Sequence, residues 1–144
     1  MPPLHPITVH LPIGLLIGNC ILTLLFLRRR DTSLEQAAYH CLWLGTILIL
    51  PAIAAGTWDA VQALNQPNQH PEALMWINAH AISGGLLLVV YWQAWQIRRR
   101  NPHVLSDPAQ QRGYLSRIFL GTGLLVLSGW MGGHMVYELG IGTR

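Results

Sequence analysis

The sequence predicts an all-α integral membrane protein, a single domain built as an up-down-up-down bundle of four helices. Hydrophobic residues make up 51% of the 144 positions and charged residues only 10%, a balance too apolar for an ordinary soluble domain. Four apolar stretches are each long enough to cross a bilayer, which takes about twenty residues in a helix. The arginines stand in short runs between these stretches, where they indicate topology and not a nucleic-acid surface. We therefore expect a lipid bilayer around the protein and no nucleic acid as a partner.

The four apolar stretches predict transmembrane helices over about residues 9–27, 37–61, 73–97 and 114–136. The connection after the first stretch is polar and charged. The connection before the fourth carries Asn101-Pro102 and Asp107-Pro108, pairs that favour turns. The middle connection is polar and contains Pro67 and Pro71. Each boundary is therefore marked by a loss of apolar character together with turn-forming residues.

The distribution of arginine predicts the orientation of the bundle. All nine basic residues are arginine, and eight of them lie in or beside the first and third connections. Connections rich in arginine remain on the cytoplasmic side of a membrane. We therefore expect a multi-pass protein of the bacterial inner membrane, with both termini and the 62–72 connection on the periplasmic side.

Four ionisable residues lie within or at the mouth of the apolar stretches, on the side predicted to be periplasmic: His10, Asp59, His80 and His134. Such side chains are costly at membrane depth and usually mark a site. His10 precedes the first arginine run by eighteen residues, and His80 precedes the second run by eighteen. At about 1.5 Å per helical residue, both imidazoles lie about 27 Å from the same membrane face. Two histidines at one depth on two helices indicate a shared ligand.

The glycines near these histidines suggest what that ligand is. Gly14 follows His10 by four residues and Gly84 follows His80 by four, and residues four apart share a helix face. A flat porphyrin beside its axial ligands needs such clearance, and two histidines from facing helices commonly hold haem b. The same glycines also suit close helix packing, with the histidines making hydrogen bonds only.

Three further residues complete the predicted site. Asp59 is expected to accept a hydrogen bond from the free N–H of a ligand histidine. His134, after Gly132-Gly133, is a candidate for cofactor or metal binding. His5 precedes the first helix and is predicted to fold over the site, as a lid or as a further metal ligand.

Several motifs resemble those of an uncharacterised family of four-helix bacterial inner-membrane proteins. The opening His5-Pro6-Ile7-Thr8-Val9-His10-Leu11-Pro12 is similar to the family's His-Pro-x-x-Val-His-x-Pro start, and Gly129-Trp130-Met131-Gly132-Gly133 to its Gly-Trp-x-Gly-Gly end. Gly56-Thr57-Trp58-Asp59 and Asn78-Ala79-His80-Ala81 match further motifs between them. After Tyr137 the chain departs from the family pattern, which often carries a histidine there. Some relatives are joined to Rieske-type iron–sulfur modules, so the resemblance implies electron-transfer partners.

These observations favour a b-type cytochrome-like electron-transfer protein, with one haem in the periplasmic half between the first and third helices. His10 and His80 are the predicted axial ligands, and electrons would pass between a quinol or a partner subunit and a periplasmic electron carrier. No nucleophile–base pair or phosphate loop is present, so we do not expect hydrolytic or phosphoryl-transfer chemistry, and an electron-transfer or accessory subunit is favoured over a stand-alone enzyme. Two alternatives stay open. One is a non-catalytic accessory subunit of a larger membrane complex. The other is a zinc or copper site using imidazoles, drawn from His5, His10, His80 and His134.

Overall fold

The computed structural model describes residues 4–65 and 71–141, and these form a bundle of four long helices. The helices are α1 (His5–Arg29), α2 (Thr32–Leu64), α3 (Ala73–Arg100) and α4 (Pro108–Tyr137), with a 3₁₀ turn over Val104–Ser106 before α4. Each of the four is long and apolar enough to cross a membrane. The described residues contain no β-strand. The predicted all-α membrane bundle is therefore confirmed.

Most helix ends extend beyond the predicted boundaries, and the N-termini of α2 and α4 begin at capping residues. Pro108 occupies the first turn of α4, and the side chain of Asp107 accepts a hydrogen bond from the Ala109 amide at 3.0 Å, a standard helix start. Asp31 caps α2 in the same way through Ser33, whose hydroxyl and amide hold the pKa of the Asp31 carboxyl below its ordinary value. An apolar stretch marks only the part of a helix that suits hydrocarbon, while hydrogen bonding continues to the next cap.

The two ends of the bundle differ in packing. At the arginine end, which carries Arg28–Arg30 and Arg98–Arg100, the turn before α4 inserts Val104 and Leu105 into the core, where both are almost fully buried. The opposite end, which carries His5, Asp59, His80 and His134, is called here the histidine end. Buried apolar side chains fill the middle of the bundle, among them Leu16, Leu42, Tyr91 and Ile118. At the arginine end, the buried side chains of Val104 and Leu105 therefore close the core.

Helix pairing is uneven around the bundle. α1 packs along α2, α3 along α4, and α2 along α3, whereas α1 and α4 touch least of these neighbours. Gly121 allows α4 to lie directly on the Tyr91 ring, since a Cβ atom there would stand 2.8 Å from the ring carbon Cζ. The weak contact between α1 and α4 leaves space between these two helices toward the histidine end.

Candidate functional site

A cavity of about 440 Å³ occupies the centre of the bundle at the histidine end. All four helices contribute to its wall, and the imidazoles of His5, His10 and His80 all lie on it. Its floor, toward the middle of the bundle, is apolar and is formed by Leu16, Ile49, Leu87 and Leu125. The two residues predicted as axial ligands therefore face one cavity, together with His5.

The His5 ring is held against α2 by its Nδ1 atom. Nδ1 lies 2.8 Å from the carbonyl oxygen of Ala52, and because a carbonyl only accepts, Nδ1 carries the proton and donates. The neighbouring Gly56 makes this approach possible, since a Cβ atom there would lie 2.9 Å from Nδ1. The other ring nitrogen, Nε2, has no hydrogen-bond partner in the described chain and keeps its lone pair.

The His80 ring meets His5 edge to face, with ring centres 5.7 Å apart and planes at 87°. Its Nδ1 lies 3.4 Å from the Ser128 hydroxyl, which is 3.0 Å from the Ser83 hydroxyl. Ser83 in turn lies 2.7 Å from the carbonyl oxygen of His80. Because a hydroxyl can accept a hydrogen bond as well as donate one, Ser128 can accept a hydrogen bond from the protonated Nδ1 of His80. The Nε2 lone pair is then free to bind a ligand.

His10 lies one turn further along α1, at the rim of the cavity. Its Nδ1 donates to the carbonyl oxygen of Pro6, four residues earlier, and the residue is otherwise exposed. As with His5, the hydrogen bond occupies Nδ1 and leaves Nε2 available. Metal-binding histidines typically hold their second N–H in this way, which fixes the tautomer and the ring orientation.

Asp59 acts on the backbone of His5 and not on an imidazole. Its Oδ2 accepts the main-chain N–H of His5 at 2.8 Å, the first amide of α1. Carboxylates stabilise helix N-termini because they satisfy an unpaired amide and complement the helix dipole. From the sequence, Asp59 was expected to contact the ring of a ligand histidine, but the carboxylate instead fixes where α1 begins and hence where His5 stands.

The two predicted glycines occupy different environments. Gly84 lies on the cavity wall, and a Cβ atom there would meet nothing within 4 Å, so it faces open space. Gly14 is exposed on the outer surface of α1 and does not line the cavity. The glycine that accommodates an imidazole is instead Gly56 beside His5; at Gly132, beside His80, an added Cβ atom would lie 3.6 Å from the ring carbon Cε1, an ordinary contact.

His134 stands apart from the other histidines. Its ring packs against Trp76, with centres 4.2 Å apart, and stacks on Trp130 at 5.9 Å. It lines a separate, shallow pocket of about 300 Å³ at the end of α4. Over residues 4–65 and 71–141, no three His, Cys, Asp or Glu side chains lie close enough to hold one metal ion. The four-histidine metal site is therefore not assembled in this arrangement.

Sequence reasoning did not identify Ser83, Ser128 or the Ala52 carbonyl as parts of the site. Ser83 and Ser128 contact each other although they are 45 residues apart, and a contact of this range leaves no local pattern. The Ala52 carbonyl is a main-chain group, and no residue type in the sequence marks it as part of a site. Gly56 could have been noticed, because it lies three residues before Asp59 in the Gly56-Thr57-Trp58-Asp59 motif.

The arrangement can bind a ligand that needs nitrogen lone pairs inside an apolar pocket. Three imidazoles present available Nε2 atoms, and the rest of the wall offers little to a hydrophilic molecule. The whole chain, residues 1–144, matches the family described as "Predicted membrane protein (DUF2231)". Comparisons with curated proteins and with solved structures each found no match.

Proposed function

The chain belongs to this family of predicted membrane proteins, and we propose that it is a b-type cytochrome-like electron-transfer protein with one haem in the histidine-end cavity. The observation that carries the proposal is that His10 on α1 and His80 on α3 line one cavity. In both rings the Nδ1 atom is engaged and Nε2 is without a partner among the described residues.

The cavity supports this proposal in two further ways. Its volume, about 440 Å³, falls in the range of about 300–1,000 Å³ that is usual for small-molecule and cofactor sites. Gly84 follows His80 by four residues and has no side chain, so the space beside it on the cavity wall stays open. A larger side chain there would fill the cavity. The residues present therefore fit a flat, apolar cofactor that takes imidazole ligands.

The roles of the chain's own residues follow from this geometry. His10 and His80 would hold the haem through their Nε2 atoms, oriented by the Pro6 carbonyl and the Ser128 hydroxyl. Asp59 and Gly56 position His5 above the site, and the apolar floor excludes water. A bound haem supplies one-electron oxidation and reduction. The cavity is confined to one half of the bundle, so we expect exchange of electrons with partners at the histidine end.

Visible absorption of the purified protein, expressed with adequate haem supply, tests the proposal. We expect a Soret band that shifts on reduction with dithionite, and we expect His10→Ala and His80→Ala each to abolish it. His40→Ala and His103→Ala are matched controls at the arginine end and should leave the band unchanged. Wild-type protein with no Soret band and no bound metal would contradict the proposal and favour an accessory subunit of a larger membrane complex.

A zinc or copper ion between His5 and His80 is the second candidate, and the 5.7 Å separation of their ring centres favours it. With metal–nitrogen bonds of about 2.0–2.1 Å, two imidazoles on one ion have ring centres about 5–6 Å apart. The described arginines all lie in the arginine-end half, so the propionates of a haem in the histidine-end cavity would have no arginine partner among them. A metal ion has no such requirement. Metal analysis separates the two: His5→Ala should remove a zinc or copper ion, whereas His10→Ala should leave it bound.

A further inference from the structure

The shallow pocket at the end of α4 adjoins the histidine cavity. It is lined by Trp130, Gly133, His134, Tyr137 and Glu138, and it shares Gly133 and Tyr137 with the larger cavity. Gly133 places no side chain between the two spaces, and a Cβ atom there would meet nothing within 4 Å. A molecule in the shallow pocket would therefore lie beside whatever occupies the cavity.

Two proton-accepting groups face this pocket. His134 and Glu138 lie four residues apart, on one face of α4. Within the described chain, neither side chain has a hydrogen-bond partner. The rings of Trp76 and Trp130, which also contact each other, both pack against the His134 ring, so packing fixes its orientation and its nitrogens remain available. The pocket thus combines ring-stacking surfaces with a base and a carboxylate.

The surface of α4 that leads to the pocket is apolar and exposed. Trp130 and Tyr137 are 59% and 87% exposed, and the preceding turn of α4 exposes Val126 and Leu127 as well. A ligand that approaches along this apolar helix surface must itself dissolve in lipid. A phospholipid phosphate is disfavoured, because among the described residues that line the pocket the formally charged one is the acidic Glu138.

We propose that this pocket binds the ring of a quinol, with its apolar tail in the bilayer, and that His134 and Glu138 accept its two hydroxyl protons. The inference rests on the proposed function, because the haem is the electron acceptor. On oxidation both O–H bonds break and the quinol becomes a quinone. The two protons pass to the imidazole and the carboxylate and then to water. A haem held by His10 and His80 would supply a one-electron acceptor, so the two electrons would leave one at a time, each passed on to a one-electron carrier.

Binding is tested first, by titrating a short-chain benzoquinone into the purified protein in nanodiscs and following quenching of tryptophan fluorescence. The wild type should show saturable quenching, which Trp130→Phe should diminish. His134→Ala and Glu138→Gln should each weaken binding on the order of tenfold, as expected for loss of a hydrogen bond to an ionisable group. His103→Ala, an exposed histidine at the arginine end, is the control and should bind as the wild type does.

Stopped-flow reduction of the haem by the corresponding benzoquinol tests the role of the pocket. His134→Ala and Glu138→Gln should slow reduction about tenfold or more, with the dithionite-reduced spectrum unchanged. Wild-type affinity in both variants, or no saturable quenching at all, would overturn the quinol site. The Soret band of the same samples reports separately on the haem. A protein that lacks haem but still binds benzoquinone through these residues would contradict the proposed haem and leave the quinol site standing.

Discussion

At the scale of single residues, the site depends on where backbone atoms are left accessible. The His5 imidazole reaches the Ala52 carbonyl only because position 56 has no side chain, and Asp59 holds the first amide of α1 from the same helix. One turn of α2 therefore positions His5 through both its ring and its main chain. A small change in that turn should affect the histidine cavity more than an equal change elsewhere.

Gly56→Ala tests this dependence. The new Cβ atom would lie 2.9 Å from the His5 Nδ1 atom, so the ring must move away from Ala52. Overpacking of this kind typically costs about 1–3 kcal/mol, partly offset by the better helix propensity of alanine, about 0.5–1 kcal/mol. We expect a lower melting temperature in detergent and weaker binding in the histidine cavity.

Gly85→Ala is the matched control, since position 85 is exposed on α3 and a Cβ atom there would meet nothing within 4 Å. It should leave stability unchanged or raise it slightly. Indistinguishable melting temperatures and ligand affinities for the two variants would show that the contact of His5 with α2 contributes nothing.

At the scale of helices, the arginine end is tied together by a nearly buried ion pair. Arg98 on α3 lies 3.2 Å from Glu35 on α2, with side chains 11% and 12% exposed. Its guanidinium also lies over the Tyr39 ring, 5.2 Å from the ring centre. This contact fixes the arginine ends of α2 and α3 together, whereas the histidine ends of the helices enclose a cavity.

Arg98→Met should be strongly destabilising because it leaves the Glu35 carboxylate buried and uncompensated, a situation that typically costs about 3–5 kcal/mol. The double variant Glu35→Leu/Arg98→Met removes both charges and should recover most of this loss. Arg99 and Arg100 remain in both variants, so the topology signal is retained. Chemical unfolding in micelles measures the free energy of unfolding of the wild type, the single variant and the double variant. A double variant no more stable than Arg98→Met would contradict this account.

At the scale of the whole molecule, the bundle is asymmetric along its axis. Arginines, the ion pair and the inserted Val104–Leu105 turn occupy one end, and the histidines and the cavity occupy the other. If arginine-rich connections remain in the cytoplasm, the cavity lies in the outer half of the membrane. The orientation of the protein in the membrane therefore decides from which side a partner can reach the cavity.

Reporter fusions in a Gram-negative host test this orientation. Alkaline phosphatase, which is active only outside the cytoplasm, should be active when fused after Gln62 or after Ile141 and inactive when fused after Gln111. A cytoplasmic fluorescent reporter should give the reverse pattern. Phosphatase activity at Gln111 alone would invert the topology and with it the expected side of the electron acceptor.

The sequence by itself determined the all-α membrane class and the four helices. These properties are local or additive: hydropathy over about twenty residues predicts a span, and counting residues along a helix predicts relative depth at a known rise. His10 and His80, predicted at one level, do line one cavity, but the ring that His80 contacts is that of His5, five residues before His10.

Tertiary structure decided which way each helix face turns and which atoms meet. Gly14 shares a face with His10 as its spacing requires, yet only His10 reaches the rim of the cavity, while Gly14 lies exposed on the outer surface of α1. The contacts of Asp59 with the His5 amide, of His5 with His80, and of Ser83 with Ser128 join different helices. Spacing within one helix defines a face, but the rotation of that face relative to its neighbours depends on how side chains of all four helices pack together, which no single segment encodes.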